Sequence, residues 1–242
     1  MLQHSKTDAI DAQLLAEYGE RMEPRLWVPP SPVQLELRAI GRHINRLTCH
    51  CTRAKNELHA LQATGTTSAL LIEDEEEAIA MFGKRIERFR QAGRAIIANC
   101  PTLRSQFDHM MAAPGMGEVS TFAVLAELTA LPVTLKSPQV SRYAGLDVRL
   151  TQSGTSIDKP GRLSKGGNAY LRSAMFMPAM SAIRCDPHVK AFYDVLIGRG
   201  KRKMQAICAV MRKYLTGLWA CIRTEEDFNT AKLFSEKHLL KA

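Results

Sequence analysis

Residues 32–61 read PVQLELRAIGRHINRLTCHCTRAKNELHAL, and the spacing of their apolar and small members decides the fold class. Leu37, Ile40, Ile44, Leu47, Cys51, Ala54, Leu58 and Leu61 recur at alternating steps of three and four. That is a heptad seam along one face of a single long helix. Ser31 stands where an N-cap belongs and Pro32 occupies the first helical position. Past the polar turn Gly65-Thr66-Thr67-Ser68 the pattern returns at Ile79, Phe82, Ile86, Phe89, Gly93 and Ile96, until Pro101 stops it. Two seams joined by a short turn predict an antiparallel coiled-coil hairpin over residues 31–100. Its plain reading is a scaffold or a dimer arm, and nothing in it points to chemistry. The acidic run Glu73–Glu77 falls near the start of the second helix, where negative charge suits the exposed amides.

Outward from the hairpin, the chain divides into a short leading segment and a longer C-terminal part. Residues 1–30 hold one amphipathic helix with Ile10, Leu14 and Leu15 on one side, ended by Pro24 and Pro29-Pro30. Residues 101–242 read as a helical domain. Within it, Pro114-Gly115-Met116-Gly117 separates a helix over Leu103–Met111 from an apolar one over Val119–Leu128, the form of a helix-hairpin-helix. The expected fold class is therefore mainly α, an antiparallel coiled-coil hairpin followed by a helical domain with a helix-hairpin-helix-like element.

Charge names the partner class. The 242 residues carry 33 Lys and Arg against 24 Asp and Glu, a formal charge of +9. From Ser153 to Arg223 there are thirteen Lys and Arg and three acids (Asp158, Asp186, Asp194), a local net of +10 that exceeds the charge of the whole chain. A polyanion is the expected partner of this region. Apolar runs are too short to span a bilayer; Ser120–Leu128, for instance, is interrupted by Glu127. The first residues lack the apolar core of a signal peptide, so the expected compartment is the cytoplasm, with the six cysteines reduced. Cys49-His50-Cys51 does not make a zinc site, since i and i+2 on a helix diverge and no second pair follows.

Four stretches carry candidate chemistry. Asp8 and Asp11 lie three positions apart on the leading helix and share a face, where they suit either the positive end of the helix dipole or a divalent cation. Gly115 and Gly117 permit a tight turn whose amides can approach a phosphate, or serve the turn alone. Lys159, Arg162 and Lys165 sit among Gly161, Gly166 and Gly167, a basic loop ahead of a helix starting near Asn168, with Arg172 beyond it. Arg199, Lys201, Arg202 and Lys203 open a helix through Ala206, Val210, Tyr214 and Leu218; cations are disfavoured at that end of a helix, so a phosphate partner would offset the cost. An ordinary solvated surface remains the alternative for both basic stretches.

Taken in order, Lys6-Thr7-Asp8 with Asp11-Ala12, Pro114–Gly117, Ser141-Arg-Tyr-Ala-Gly-Leu146, Gln152-Ser-Gly-Thr155, Ser164-Lys-Gly-Gly-Asn-Ala-Tyr-Leu-Arg172 and Gly198-Arg-Gly-Lys-Arg-Lys203 resemble the DEDD transposases of bacterial insertion sequences, the insertion-sequence 110/116/902 type. The resemblance covers nearly the whole chain. It implies transposition of DNA by cleavage and joining, through a serine nucleophile and a RuvC-like site of Asp, Glu, Asp and Asp that binds Mg2+. Ser153 matches the serine, and Asp8 and Asp11 match the last two acids. It further implies DNA as partner, a structured guide RNA from the element, and assembly of a homo-oligomer through the coiled coil. The family's first Asp and its Glu should precede the Lys6-Thr7-Asp8 motif and have no counterpart here. The chain is thus expected to be the C-terminal two-thirds of a transposase, with residues 1–30 a remnant of the RuvC-like domain. A non-catalytic nucleic-acid-binding protein, a regulator or relic, is the rival reading.

Overall fold

A computed structural model describes residues 7–24, 28–65, 68–153 and 157–234, with the backbone alone described over 150–153 and 157–160. The protein is mainly helical. Helix α1 spans Asp8–Met22, capped by Thr7, whose hydroxyl accepts from the Ile10 amide at 3.4 Å. None of its residues is buried.

Helices α2 (Pro32–Thr64) and α3 (Ala69–Asn99) are the longest elements. Ser31 and Gln34 form a reciprocal capping box at the start of α2, each satisfying an amide that the helix itself leaves open. Gly65 ends it in the left-handed region at φ 69°. The two helices pack antiparallel, with the His43 ring against Phe89 and the His50 ring against Phe82. Leu37, Ile44, Leu47, Cys51 and Ala54 of α2 and Ile86, Gly93 and Ile97 of α3 are buried. Ile96, which the spacing places on the seam, is only half buried; Ile97 takes the inner position where the next helices close over α3.

Helices α4 (Pro101–Met111) and α5 (Glu118–Leu128) follow. The second is apolar almost throughout, and it lies across the α2–α3 pair. Gly41 and Gly93 make the approach possible: a Cβ at Gly41 would stand 3.1 Å from the Ala126 Cβ, and one at Gly93 would overlap the Phe122 ring. After α6 (Ser137–Tyr143) come two strands, β1 (Val148–Ser153) and β2 (Ile157–Leu163), then α7 (Ala169–Ala174), α8 (Phe176–Cys185), α9 (Pro187–Gly198), α10 (Lys203–Thr224) and α11 (Thr230–Leu233).

Helix α10 is the axis of the C-terminal core. It buries ten residues, from Ala206 to Ile222, against α4, α6, α8 and α9. Its large side chains also satisfy their polar atoms. The Trp219 indole donates to the Leu135 carbonyl at 3.0 Å, and the Tyr214 hydroxyl donates to the Pro114 carbonyl. Burial pushes the Tyr214 phenol up from its ordinary value. Among the described residues, no helix is long and apolar enough to cross a membrane.

The strands correct one expectation. Residues 157–163, read from sequence as part of a basic loop, pair antiparallel with residues 148–153. Pro160-Gly161 looks like a loop dipeptide. The register shows how a strand accommodates it: Arg149 faces Arg162 and Thr151 faces Lys159, so Pro160 and Gly161 together oppose the single residue at position 150. A bulge of this kind removes the need for an amide at Pro160.

Candidate nucleic-acid interface

The antiparallel β1–β2 pair, called the hairpin below, bears the predicted serine. Ser153 is the last residue of β1 and pairs with Ile157; Lys159 pairs with Thr151. Arg162 is exposed and lies directly opposite Arg149, also exposed. Two like charges facing each other across an antiparallel pair are destabilising unless an anion lies between or beside them. Arg149 was not singled out from sequence, because the pairing that makes it informative is set by the bulge.

Below the hairpin, two of the quoted motifs hold each other. The Ser164–Asn168 segment lies on the Ser141–Leu146 segment, with the Ser164 amide donating to the Asp147 carbonyl at 2.9 Å, the Lys165 amide to Gly145 at 3.2 Å and the Asn168 amide to Tyr143 at 2.6 Å. The Ser164 hydroxyl donates to the Asp147 carboxylate. Gly145 and Gly167 lie at φ 66° and 130°, and a Cβ on Gly167 would collide with the Tyr143 carbonyl oxygen. Both glycines are therefore required by close backbone contact as well as by φ. Gly167→Ala is expected to cost about 2 kcal/mol in denaturant unfolding, from backbone strain and overlap together. An unchanged midpoint would show that the segment is not held in this way.

Lys165 (φ 52°) is exposed on this platform, whereas Arg172 is half buried and donates through Nη1 to the Ala144 carbonyl at 2.9 Å. The structure thus gives Arg172 a part in the platform. Arg199, Lys201, Arg202 and Lys203 are all exposed around the start of α10, where Gly200 adopts φ 78° and the Gln205 carboxamide oxygen accepts from the Arg202 amide at 3.0 Å. No acid occurs between Asp194 and Glu225, so this cationic turn has no acid near it in sequence. Lys213 is withdrawn from that surface: its ammonium lies over the Phe192 and Phe234 rings at 4.6 and 5.0 Å, and burial lowers its pKa.

The Pro114–Gly117 turn is placed differently from a bare phosphate cradle. Gly115, at φ 82°, packs on α8, where a Cβ would stand 2.7 Å from the Ala182 nitrogen and 2.8 Å from the Pro178 oxygen. Gly117 caps α5 with open space beside it. The next residue, Glu118, already puts a carboxylate at that helix end and is paired with Arg94. The Arg94 guanidinium holds the Glu118 carboxyl below its ordinary range.

Sequence reading missed one further constellation. Glu127 is buried on α5 and is chelated by Arg42 of α2, with Nε on Oε1 at 2.6 Å and Nη2 on Oε2 at 2.9 Å. Asn168 donates from Nδ2 to the same carboxylate at 2.5 Å and to the Tyr143 hydroxyl at 2.9 Å, while its Oδ1 caps α7 by accepting from the Leu171 amide at 3.0 Å. The Arg42 guanidinium also stands over the Tyr170 ring, 5.0 Å from its centroid. This carboxylate raises the Arg42 pKa. The available signal was Glu127 interrupting an otherwise apolar run. Beside it a cavity of about 530 Å³ opens between α2, α3, α4, α5 and α7.

Asp8 and Asp11 share the first turns of α1, Asp8 exposed and Asp11 half buried. Among the described residues, no group of three His, Cys, Asp or Glu stands together as a metal site. These two carboxylates alone do not fit a complete divalent centre, which needs about six oxygen ligands, several of them from protein.

Residues 108–194, from the end of α4 to α9 and including the hairpin and its platform, match the family model described as "Transposase IS116/IS110/IS902 family", and residues 1–64 match a second model of DEDD-type insertion-sequence 110 transposases. Both matches support a transposase of the insertion-sequence 110 type. A "pilin gene-inverting protein" of Moraxella bovis is 29% identical over 228 residues, covering 93% of this chain and 68% of that protein. An uncharacterised 43.6 kDa protein of insertion element IS110 from Streptomyces coelicolor is 35% identical over 114 residues, 46% of this chain and 27% of its own length. An uncharacterised 42 kDa protein of insertion element IS900 from Mycobacterium paratuberculosis is 29% identical over 157 residues, 63% and 34% of the two chains. DEDD transposases are a class that depends on divalent metal. Within the IS116/IS110/IS902 family match fall Ser153, Arg149, Arg162, Glu127 and Asn168, so the hairpin and the carboxylate network under it lie in one matched region.

Proposed function

We propose that this chain acts in DNA transposition or recombination, with the hairpin as the phosphate-facing element and Ser153 as the nucleophile. The observation that carries the reading is Arg149 opposite Arg162 on the hairpin whose first strand ends at Ser153, since the fold accepts a like-charge pair there that an anionic phosphate would relieve. The reaction would join the serine oxygen to phosphorus and release a deoxyribose hydroxyl, with the serine proton passing to a base or water. Cationic side chains at Arg149, Lys159, Arg162 and Lys165 would stabilise the charge that develops on the phosphoryl oxygens. The relatives' printed names, a pilin gene-inverting protein and insertion-element proteins, support the same reading. Mg2+ would supply further charge stabilisation if Asp8 and Asp11 join other acids around it.

The segments follow the same scheme. Residues 1–30 belong with a RuvC-like domain, residues 31–100 form an antiparallel coiled coil that assembles a homo-oligomer, and residues 101–242 form the serine-bearing, DNA-binding domain. The turn at Gly115 and Gly117 serves as a helix-hairpin-helix-like element, with Arg199, Lys201, Arg202 and Lys203 as a further phosphate contact. Partners are DNA and a structured guide RNA. A non-catalytic nucleic-acid-binding protein would use the same surface without the serine chemistry.

Salt dependence tests the interface. Each phosphate contact on duplex DNA contributes a slope of roughly −0.9 in log K against log salt. Arg149→Ala and Arg162→Ala together are expected to reduce the slope by about 1.8, measured by fluorescence anisotropy. A wild-type affinity that does not vary with salt would sink the reading.

A further inference from the structure

The α2–α3 pair, which its sequence presents as a scaffold, is electrically polar. Residues 37–56 of α2 contain five Lys and Arg and no acid, and residues 84–99 of α3 contain five Lys and Arg and one acid. The antiparallel packing puts these two stretches side by side. At the far end, Glu57 faces Glu75, whose carboxyl is pushed up by burial and by that like charge.

Within the cationic half, three arginines are already engaged: Arg42 with Glu127, Arg94 with Glu87 and Glu118, and Arg90 with Glu87 at 3.9 Å. Arg46, Arg85 and Arg88 have no acidic partner among the described residues. They surround His43, whose pKa is lowered by burial and then by these three charges. Arg46 Nη2 lies 3.2 Å from His43 Nδ1. A guanidinium can only donate, so Nδ1 accepts and the ring proton resides on Nε2. Between the helices lies a cleft of about 230 Å³ lined by His43, Arg46, Leu47, His50, Phe82 and Arg85. The His50 and Phe82 rings stack with centroids 5.8 Å apart and planes 17° apart.

We infer that this cleft between α2 and α3 binds nucleic-acid phosphates through Arg46 and Arg85, at a site separate from the β1–β2 hairpin. The Arg46 and Arg85 guanidiniums line one small cleft with no acid beside them and repel each other, and a phosphate oxygen pair is the partner their fork geometry fits. The aromatic floor adds a flat surface of the kind that accepts a stacked base, which favours a single strand or a loop. The inference does not depend on the role of Ser153 or of the hairpin.

The test uses the full chain with three probes, a 20-nucleotide single-stranded DNA, its duplex and a stem-loop RNA of similar length. Arg46→Ala with Arg85→Ala is expected to lower the salt slope on single strands by about 1.4, whereas Arg46→Lys with Arg85→Lys keeps most of it. Ultraviolet crosslinking should join the single strand to the peptide that contains Phe82. That crosslink is expected to persist in the Arg149→Ala and Arg162→Ala variant, which separates this site from the hairpin contact. An unchanged slope with no crosslink near Phe82 on any probe overturns the inference. So does a fall in sedimentation coefficient of the Arg46→Ala and Arg85→Ala variant with nucleic-acid affinity intact, which would assign the cleft to the acidic end of a second copy.

Discussion

Ser153→Ala is expected to abolish the covalent protein–DNA adduct while changing DNA affinity by less than about twofold, since one hydroxyl adds little to a contact carried by charge. The adduct is read by denaturing electrophoresis of labelled element-end DNA with divalent cation and the element's RNA. A parallel assay with a relative's RuvC-like portion fused ahead of Lys6 offers further acids beside Asp8 and Asp11. Ser164→Ala is the informative companion. Its hydroxyl donates to Asp147 at the base of the same hairpin, so its loss removes a support but no nucleophile. The Ser164→Ala variant should still form adduct at a reduced rate, whereas the Ser153→Ala variant should form none. Adduct of undiminished yield in Ser153→Ala would move the nucleophile elsewhere and leave the hairpin a binding element only.

That Ser164 supports the hairpin through Asp147 was beyond the sequence, and the reason is physical. Local spacing fixes helices, because the neighbours that bury Leu37, Ile44, Leu47, Cys51 and Ala54 recur on one face every three or four residues. Start signals likewise placed α4, α5 and the beginning of α7 to within two residues, since Pro101, Gly117 and Asn168 stand there, whereas α6, α8, α9 and α11 carried no such signal that was read. The hairpin escaped it. Pro160-Gly161 reads as loop chemistry, and only the pairing with residues 148–153 turns it into a bulge. Gly115 shows the same limit: its sequence suggests an amide cradle, whereas its close contact is with the backbone of α8, more than sixty residues further on. Likewise the Ser141–Leu146 and Ser164–Arg172 motifs were visible as separate stretches, but that they are two halves of one platform is a tertiary fact.

The carboxylate network is where that tertiary fact carries the most energy. Glu127→Ala is expected to lower the free energy of unfolding by about 3 to 4 kcal/mol, measured by denaturant titration. The estimate follows from the cost of breaking a buried pair, taken at the lower side of its range because about a third of the Arg42 side chain remains exposed to water. Removal of the carboxylate strands two donors at once. Arg42 keeps its charge over the Tyr170 ring with no anion, and Asn168 keeps only its bond to the Tyr143 hydroxyl. Asn168 also caps α7 and begins where the Gly166-Gly167 segment ends, so a loosened Asn168 slackens the platform beneath the hairpin. Glu127→Gln separates charge from shape: it can still accept from Asn168 and from one guanidinium nitrogen, and the loss should fall to about half. Arg42→Ala with Glu127→Ala tests the coupling directly. If the two residues act as one unit, the double variant is less destabilised than the sum of the singles by at least about 1 kcal/mol. Additive losses, or a Glu127→Ala protein as stable as the parent, would mean that α2 and the serine-bearing domain are joined by the apolar contacts of Gly41, Gly93 and Phe122 alone. In that case the arm and the hairpin would be mechanically independent. A coupled result instead makes Arg42 and Glu127 the link through which a change at the arm reaches the platform that holds Ser153.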